Sequence, residues 1–197
     1  MYTNSIRPFV LAAALFAGTV AGFAQDNLVN ALKVNASDNS KASFKFTDVI
    51  NLENTSVKNQ GSSGTCWSYA ANSFIESEMV RMGKKPVEIS QIYSARNTYI
   101  EKGRMYVRMH GAVTLGDGGA LHDVMNMYKK YGAVPQSVYT GLNYGTDKNK
   151  FGEMGALTQG LLEAVVKNPN GQLTPNWETA YTAVIDSYLG QAPKSFD

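Results

Sequence analysis

The only cysteine of this 197-residue sequence, Cys66, lies where a polar loop runs into a helical pattern. A thiol at a helix N-terminus faces the positive end of the helix dipole and backbone N–H groups that lack helical partners. Both favour the thiolate, which is the nucleophilic form of cysteine. Gln60 lies six residues before Cys66 and carries a side-chain amide. This amide and the Cys66 backbone N–H are the kind of donors that bind the oxyanion formed when a thiolate attacks a carbonyl. These residue types predict nucleophilic attack on a carbonyl group.

The residues around Cys66 decide between a nucleophile and an ordinary buried cysteine. A lone cysteine is usually a small apolar core residue. Here residues 58–67 read KNQGSSGTCW, with a glutamine, two glycines and a tryptophan beside the thiol. This run resembles the active-site segment of papain-like cysteine peptidases. Its sequence is most similar to the bleomycin hydrolase or aminopeptidase C branch of that family. The resemblance is tight over residues 57–70 and looser to about Gly145.

The resemblance implies an α+β papain-like fold and a cysteine-type peptidase that needs no cofactor and no metal. Cys66 would attack the peptide carbonyl, and Gln60 with the Cys66 N–H would stabilise the oxyanion. Gly64 and Trp67 would line the substrate site. The partners would be peptide or protein substrates, and the aminopeptidase type is favoured, with endopeptidase action left open. The natural substrate and the oligomeric state, including a homo-oligomer, also remain open.

Residues 116–119, with the sequence GDGG, form a second motif. Glycines allow another backbone to approach closely. By resemblance, Gly118 and Gly119 line the non-primed substrate cleft, whereas the simpler alternative is a turn before a helix. Papain-like enzymes usually have a disulfide between this segment and the loop that carries the nucleophile, which is residues 59–66 here and is called the nucleophile loop below. Ser63 and Gly116 stand at those places here, so the resemblance implies that the bridge is absent.

The expected catalytic base is not evident in the sequence. The resemblance places a histidine and an asparagine about 130–150 residues after the cysteine, near or beyond the last residue, Asp197. The alternative is that His110, or His122 oriented by Asp123, serves as the base, although neither fits the papain-like spacing. We therefore expect the N-terminal part of a longer peptidase, mainly its helical lobe, without a complete strand-rich lobe. A non-catalytic peptide-binding fragment and a helical domain with an incidental cysteine are the other hypotheses.

Apolar spacing predicts five helices and one weak strand. The helix that begins at Cys66 should end before Gly83, and the next should begin after an N-cap at Ser90. The predicted helices cover residues 66–82, 90–103, 119–132, 151–167 and 175–188, and the strand covers residues 44–52. The last two helices resemble an insertion, over residues 150–190, that is found in the aminopeptidase C branch.

The N-terminal residues resemble a secretory signal. Arg7 precedes an apolar stretch at 8–20 and small residues at 22–24, which predicts a signal peptide over residues 1–24. Residues 25–43 would be a flexible leader and residues 44–197 the peptidase domain. The protein would then be secreted or periplasmic, and it would contact a membrane only if the signal stayed uncleaved.

Composition excludes several other classes of protein. The sequence is 44% hydrophobic and 17% charged, which suits one globular domain or part of a larger one. The net charge of +2 is too small to indicate a nucleic-acid partner. The sequence contains no zinc, P-loop or dinucleotide-binding motif.

Overall fold

The computed structural model describes residues 47, 49–50, 52–169 and 171–195. The chain divides into two units, residues 1–51 and residues 52–197. The predicted signal peptide and leader lie outside the described residues, as does most of the strand predicted at 44–52. The described part of that stretch is not in a strand, and Val49, Ile50 and Leu52 are exposed. A weak alternation of apolar residues does not form a strand without a partner strand.

The described part of residues 52–195 contains five helices, and each of the five predicted helices is confirmed. They are α1 (Cys66–Arg81), α2 (Gln91–Arg108), α3 (Leu121–Tyr131), α4 (Gly152–Val166) and α5 (Asn176–Leu189). The described residues contain no strand, only two isolated bridges. This agrees with the predicted helical lobe. The strands of the expected α+β fold are not found among the described residues. No described helix is long and apolar enough to cross a membrane.

Local signals account for four of the ten ends of these helices. The Ser90 hydroxyl accepts a hydrogen bond from the Tyr93 N–H at 3.1 Å, as expected of the N-cap of α2. Gly83, Gly132 and Gly190 follow α1, α3 and α5 with φ of +74°, +77° and +84°. This left-handed backbone is costly for residues with a side chain, so glycine stops the helix there.

Gly103 is an exception, because it was predicted to end α2 and the helix continues to Arg108. A Cβ atom at Gly103 would lie 2.4 Å from Cε1 of Tyr181 in α5. The Tyr181 hydroxyl also donates to the Tyr99 carbonyl at 2.9 Å. The glycine therefore lets α5 pack closely on α2, and its role is packing rather than termination.

Helix α2 lies at the centre of the fold. Residues 91–100 are all buried, and α2 contacts each of the other four helices. The buried Arg96 bonds to Asp186 of α5, with Nε–Oδ1 at 2.8 Å, and its Nη1 donates to Asn97 Oδ1 at 3.0 Å. The helices predicted as an insertion thus pack directly on the central helix of the same unit.

Candidate active site

Cys66 is exposed and is the first residue of α1, as predicted. The N-cap residue, Thr65, does not cap the helix with its side chain. Its hydroxyl instead lies 2.5 Å from the Ser63 hydroxyl, and both residues are buried. The backbone N–H groups of Ser68 and Tyr69 bond to the Thr65 carbonyl. Among the described residues, the Cys66 N–H has no partner, which leaves it available to an anion beside the thiol.

The loop before Cys66 is fixed by the segment that leads into α4. The Ser62 N–H donates to the Asn149 carbonyl at 2.7 Å, and the Phe151 N–H donates to the Ser62 carbonyl at 3.1 Å. Gly61 has a φ of +62°, and a Cβ atom there would lie 2.5 Å from the Asn149 carbonyl oxygen. The Asn149 amide also donates to the Tyr69 hydroxyl of α1 at 3.0 Å. The position of the thiol therefore depends on residues more than 80 positions later in the sequence.

Gln60 lies in the same loop as Cys66. Its Nε2 donates to the Ser63 carbonyl at 2.9 Å, and the Ser63 hydroxyl donates back to the Gln60 carbonyl at 2.8 Å. This pair of bonds orients the Gln60 side chain. A side-chain amide has two N–H donors, so one is left for another acceptor. The oxyanion role of Gln60 remains a prediction.

Residues 116–119, called the glycine segment below, lie directly against the nucleophile loop. The Trp67 indole N–H donates to the Asp117 carbonyl at 2.8 Å, and the Gly64 N–H donates to Asp117 Oδ2 at 3.3 Å. A Cβ atom at Gly119 would lie 2.6 Å from Cε2 of Trp67. Gly118 and Gly119 are exposed, whereas Trp67 is only 7% exposed. The geometry makes Trp67 a support for the glycine segment, and a role for Gly118 and Gly119 in substrate binding stays a prediction.

Sequence reasoning missed Asp117 and Lys102, which both hold the glycine segment. Lys102 Nζ donates to the Gly116 carbonyl at 2.7 Å and also to the Gly118 carbonyl. Burial lowers the pKa of Lys102, and the charges of Asp123 and Asp117 oppose this effect. A lysine in a helical pattern carries no local signal for such a contact. Only its place in the folded chain shows it.

Gly119 differs from the rest of the glycine segment in its hydrogen bonding. The carbonyls of Gly116, Asp117 and Gly118 all accept bonds from side chains of α1 or α2. Neither the N–H nor the carbonyl of Gly119 forms a hydrogen bond with any of the described residues. Gly119 is therefore the residue of the segment whose carbonyl and N–H are both left to bond an extended ligand.

The two histidines lie on exposed turns and helix ends. His110 follows α2 with a φ of +52°. His122 is 75% exposed at its side chain, with Nε2 3.4 Å from Asp123 Oδ1. Asp123 also accepts the Ala120 N–H at 2.8 Å, so it has a structural role at the start of α3. No hydrogen bond joins either histidine to Cys66 within the described residues, and no group of three or more His, Cys, Asp or Glu there is placed to hold a metal ion.

Comparison with known proteins supports the predicted resemblance. The model of the Peptidase C1-like family matches residues 15–110. Cysteine proteinase 1, mitochondrial, of Saccharomyces cerevisiae is 28% identical over 144 residues, which cover 64% of this chain and 29% of that protein. Aminopeptidase C of Lactobacillus delbrueckii subsp. lactis is 26% identical over 206 residues, which cover 91% of this chain and 45% of that protein.

A solved structure gives the fold. PepW from Lactobacillus rhamnosis matches with a TM-score of 0.54 and 22% identity, over 97% of this chain and 49% of that chain. This chain thus spans about half, or less, of the length of these relatives. The recognition made from the nucleophile loop is confirmed: the chain matches the Peptidase C1-like family model and is similar to proteins named cysteine proteinase and aminopeptidase C.

Proposed function

We propose that this chain carries the nucleophile of a cysteine peptidase, and that this nucleophile is Cys66. The observation that carries the proposal is the exposed thiol at the start of α1, next to its own unbonded N–H. The glycine segment lies beside it, with the backbone of Gly119 open to an extended peptide. The family match and the names of the relatives support the same reaction class.

The proposed reaction begins with attack of the Cys66 thiolate on a peptide carbonyl carbon. A C–S bond forms, and the π electrons of the carbonyl move to its oxygen, where the Cys66 N–H and Gln60 stabilise the charge. The C–N bond then breaks, and the leaving amine takes a proton from a histidine. Water hydrolyses the resulting thioester. Because neither His110 nor His122 bonds to Cys66, we propose that this histidine lies outside the described residues.

The aminopeptidase type is the finer part of the proposal. Two curated relatives are named aminopeptidase C. Such an enzyme needs a group that binds the free amino terminus of the substrate. No described residue is assigned that role, and we place it, like the histidine, outside residues 47–195.

Labelling of Cys66 tests the proposed function. The full chain is treated at about pH 6 with a peptidyl electrophile, because a free thiol with a pKa of about 8.5 is almost wholly protonated there. We expect labelling at least ten times faster than that of glutathione, and none in Cys66→Ala. A reagent with a free N-terminus that reacts faster than its N-acetylated form would support the aminopeptidase type. Labelling no faster than that of glutathione would contradict an activated thiolate, and tight binding of the peptide without reaction would favour the non-catalytic alternative.

We also propose that the protein is exported, on the basis of the signal pattern in residues 1–24 alone. Expression of the full sequence in a secreting host should give a processed protein that begins near Gln25. Mass spectrometry of the extracellular or periplasmic fraction measures that terminus. An intact Met1 on protein that stays in the cytosol would refute export.

A further inference from the structure

We propose that Lys102 is a positioning residue, which holds the glycine segment in the geometry that a peptide substrate requires. The inference rests on the proposed function, since it concerns how the cleft beside Cys66 is built. Lys102 acts from α2, through Gly116 and Gly118, and it touches neither the thiol nor the reacting carbonyl.

The contacts of Lys102 are unusual for a lysine on a helix. Its ammonium group is half-buried, and it donates to the carbonyls of Gly116 and Gly118, which are two residues apart. It also lies 5.9 Å from the ring centroid of Tyr99, one turn earlier on α2. Among the described residues, no carboxylate lies within 4.0 Å of its nitrogen, although Asp117 and Asp123 are near enough to affect it. The charge of the lysine therefore acts mainly on backbone carbonyls of the glycine segment.

The glycine segment needs such support. Glycine loses more conformational freedom on folding than any other residue, so a segment with three glycines in four does not hold one geometry by itself. With one cysteine in the sequence, no internal disulfide can tie this segment to the nucleophile loop. Trp67 and Gly64 fix it from the side of α1 through Asp117, and Lys102 fixes it from α2. Together these bonds occupy three successive carbonyls, and among the described residues the Gly119 carbonyl is the one carbonyl of the segment that they leave free.

The effect on the segment is measured first, with no substrate present. In a Trp177→Phe background, Trp67 is the only tryptophan, and its ring packs against Gly119. We expect Lys102→Met to make Trp67 clearly more accessible to acrylamide quenching, because the segment moves off the ring. Lys102→Arg keeps a cationic donor and should restore most of the protection. Lys84→Met, at an exposed lysine in the loop after α1, is the matched control and should leave quenching unchanged.

The effect on the cleft is measured by two reagents. Lys102→Met should slow labelling of Cys66 by a peptidyl electrophile about tenfold, since a hydrogen bond to a charged group is worth at least that factor. Labelling by iodoacetamide, which needs no cleft, should change less than about twofold by the same reasoning. Lys102→Arg should recover the peptidyl rate. A merely structural lysine would alter both rates together or neither.

The outcomes separate the two proposals. Unchanged quenching and an unchanged peptidyl rate in Lys102→Met would overturn the positioning role. A wild-type protein that reacts no faster with the peptidyl reagent than with iodoacetamide would refute the peptidase function. If quenching nevertheless increases in Lys102→Met, Lys102 still supports the glycine segment. If Lys102→Met fails to fold, a normal peptidyl rate in a folded Lys102→Gln, whose shorter side chain does not reach both carbonyls, would equally overturn the inference.

Discussion

Replacing Glu76 with glutamine is expected to lower the free energy of unfolding by about 3–5 kcal/mol. Glu76 lies on α1 with its side chain fully buried. Both carboxylate oxygens accept from Lys58 Nζ, at 2.8 and 3.1 Å. They also accept from the Thr55 hydroxyl at 2.5 Å and from the Ile89 N–H at 2.6 Å. An amide offers one acceptor oxygen in place of two, so the substitution would leave buried donors without partners, and the Lys58 charge would keep only the more distant Glu88 carboxylate.

Urea unfolding of the full chain, followed by circular dichroism, measures this effect. Glu88→Gln is the matched control, because Glu88 also faces Lys58, at 4.0 Å, but is 44% exposed at its side chain. The control should cost less than about 1 kcal/mol. In Glu76→Gln/Lys58→Met the loss should be smaller than the sum of the two single losses, since the poorly compensated Lys58 charge is gone. A loss below about 1 kcal/mol in Glu76→Gln would show that the buried pair does not stabilise this fold.

The Glu76 network also bears on the candidate active site. It fastens residues 55–58, directly before the nucleophile loop, to α1 and to the backbone just before α2. The loop that contains Gln60 and ends at Cys66 is thus anchored at its start by a carboxylate ten residues beyond the thiol on the same helix. Loss of Glu76 should therefore slow peptidyl labelling of Cys66 even in conditions where the helices stay folded.

Replacing Gly61 with alanine is the second change with a large expected effect, about 3 kcal/mol of unfolding free energy. Two costs combine at this position. The φ of +62° is unfavourable for alanine by about 1–2 kcal/mol. The new Cβ atom would also lie 2.5 Å from the carbonyl oxygen and 2.9 Å from the nitrogen of Asn149, and these backbone atoms cannot turn aside as a flexible side chain can. The nucleophile loop would have to move away from Asn149.

Gly83 provides the control that separates these two costs. It has a similar φ of +74°, but a Cβ atom there would meet nothing within 4 Å. Gly83→Ala should therefore cost only the backbone term, about 1–2 kcal/mol, and leave Cys66 labelling unchanged. Urea unfolding and the peptidyl labelling rate are measured for both variants. Equal losses in the two variants would mean that the contact with Asn149 does not determine the loop.

Several features of this protein followed from the sequence alone, because their physical causes are local. The cysteine at a loop-to-helix junction, the N-cap at Ser90 and the glycine stop at Gly83 each depend on a few neighbouring residues. Apolar periodicity was enough to place all five helices within a few residues. The family was also recognisable from the ten residues that end at Trp67, and the comparisons confirm it.

Tertiary structure alone decided how the candidate site is supported. Gly103 has the sequence pattern of a stop, yet α2 continues through it to Arg108. Glycine stands there because the Tyr181 ring occupies the space that a side chain would need. Asp117 bonds Trp67 and Gly64, which lie 50 residues or more before it in the sequence. Lys102 bonds the glycine segment, which begins 14 residues after it. Such contacts depend on where distant backbone groups meet after folding. No local propensity or periodicity encodes that meeting, so the geometry beside Cys66 could be seen only in the folded chain.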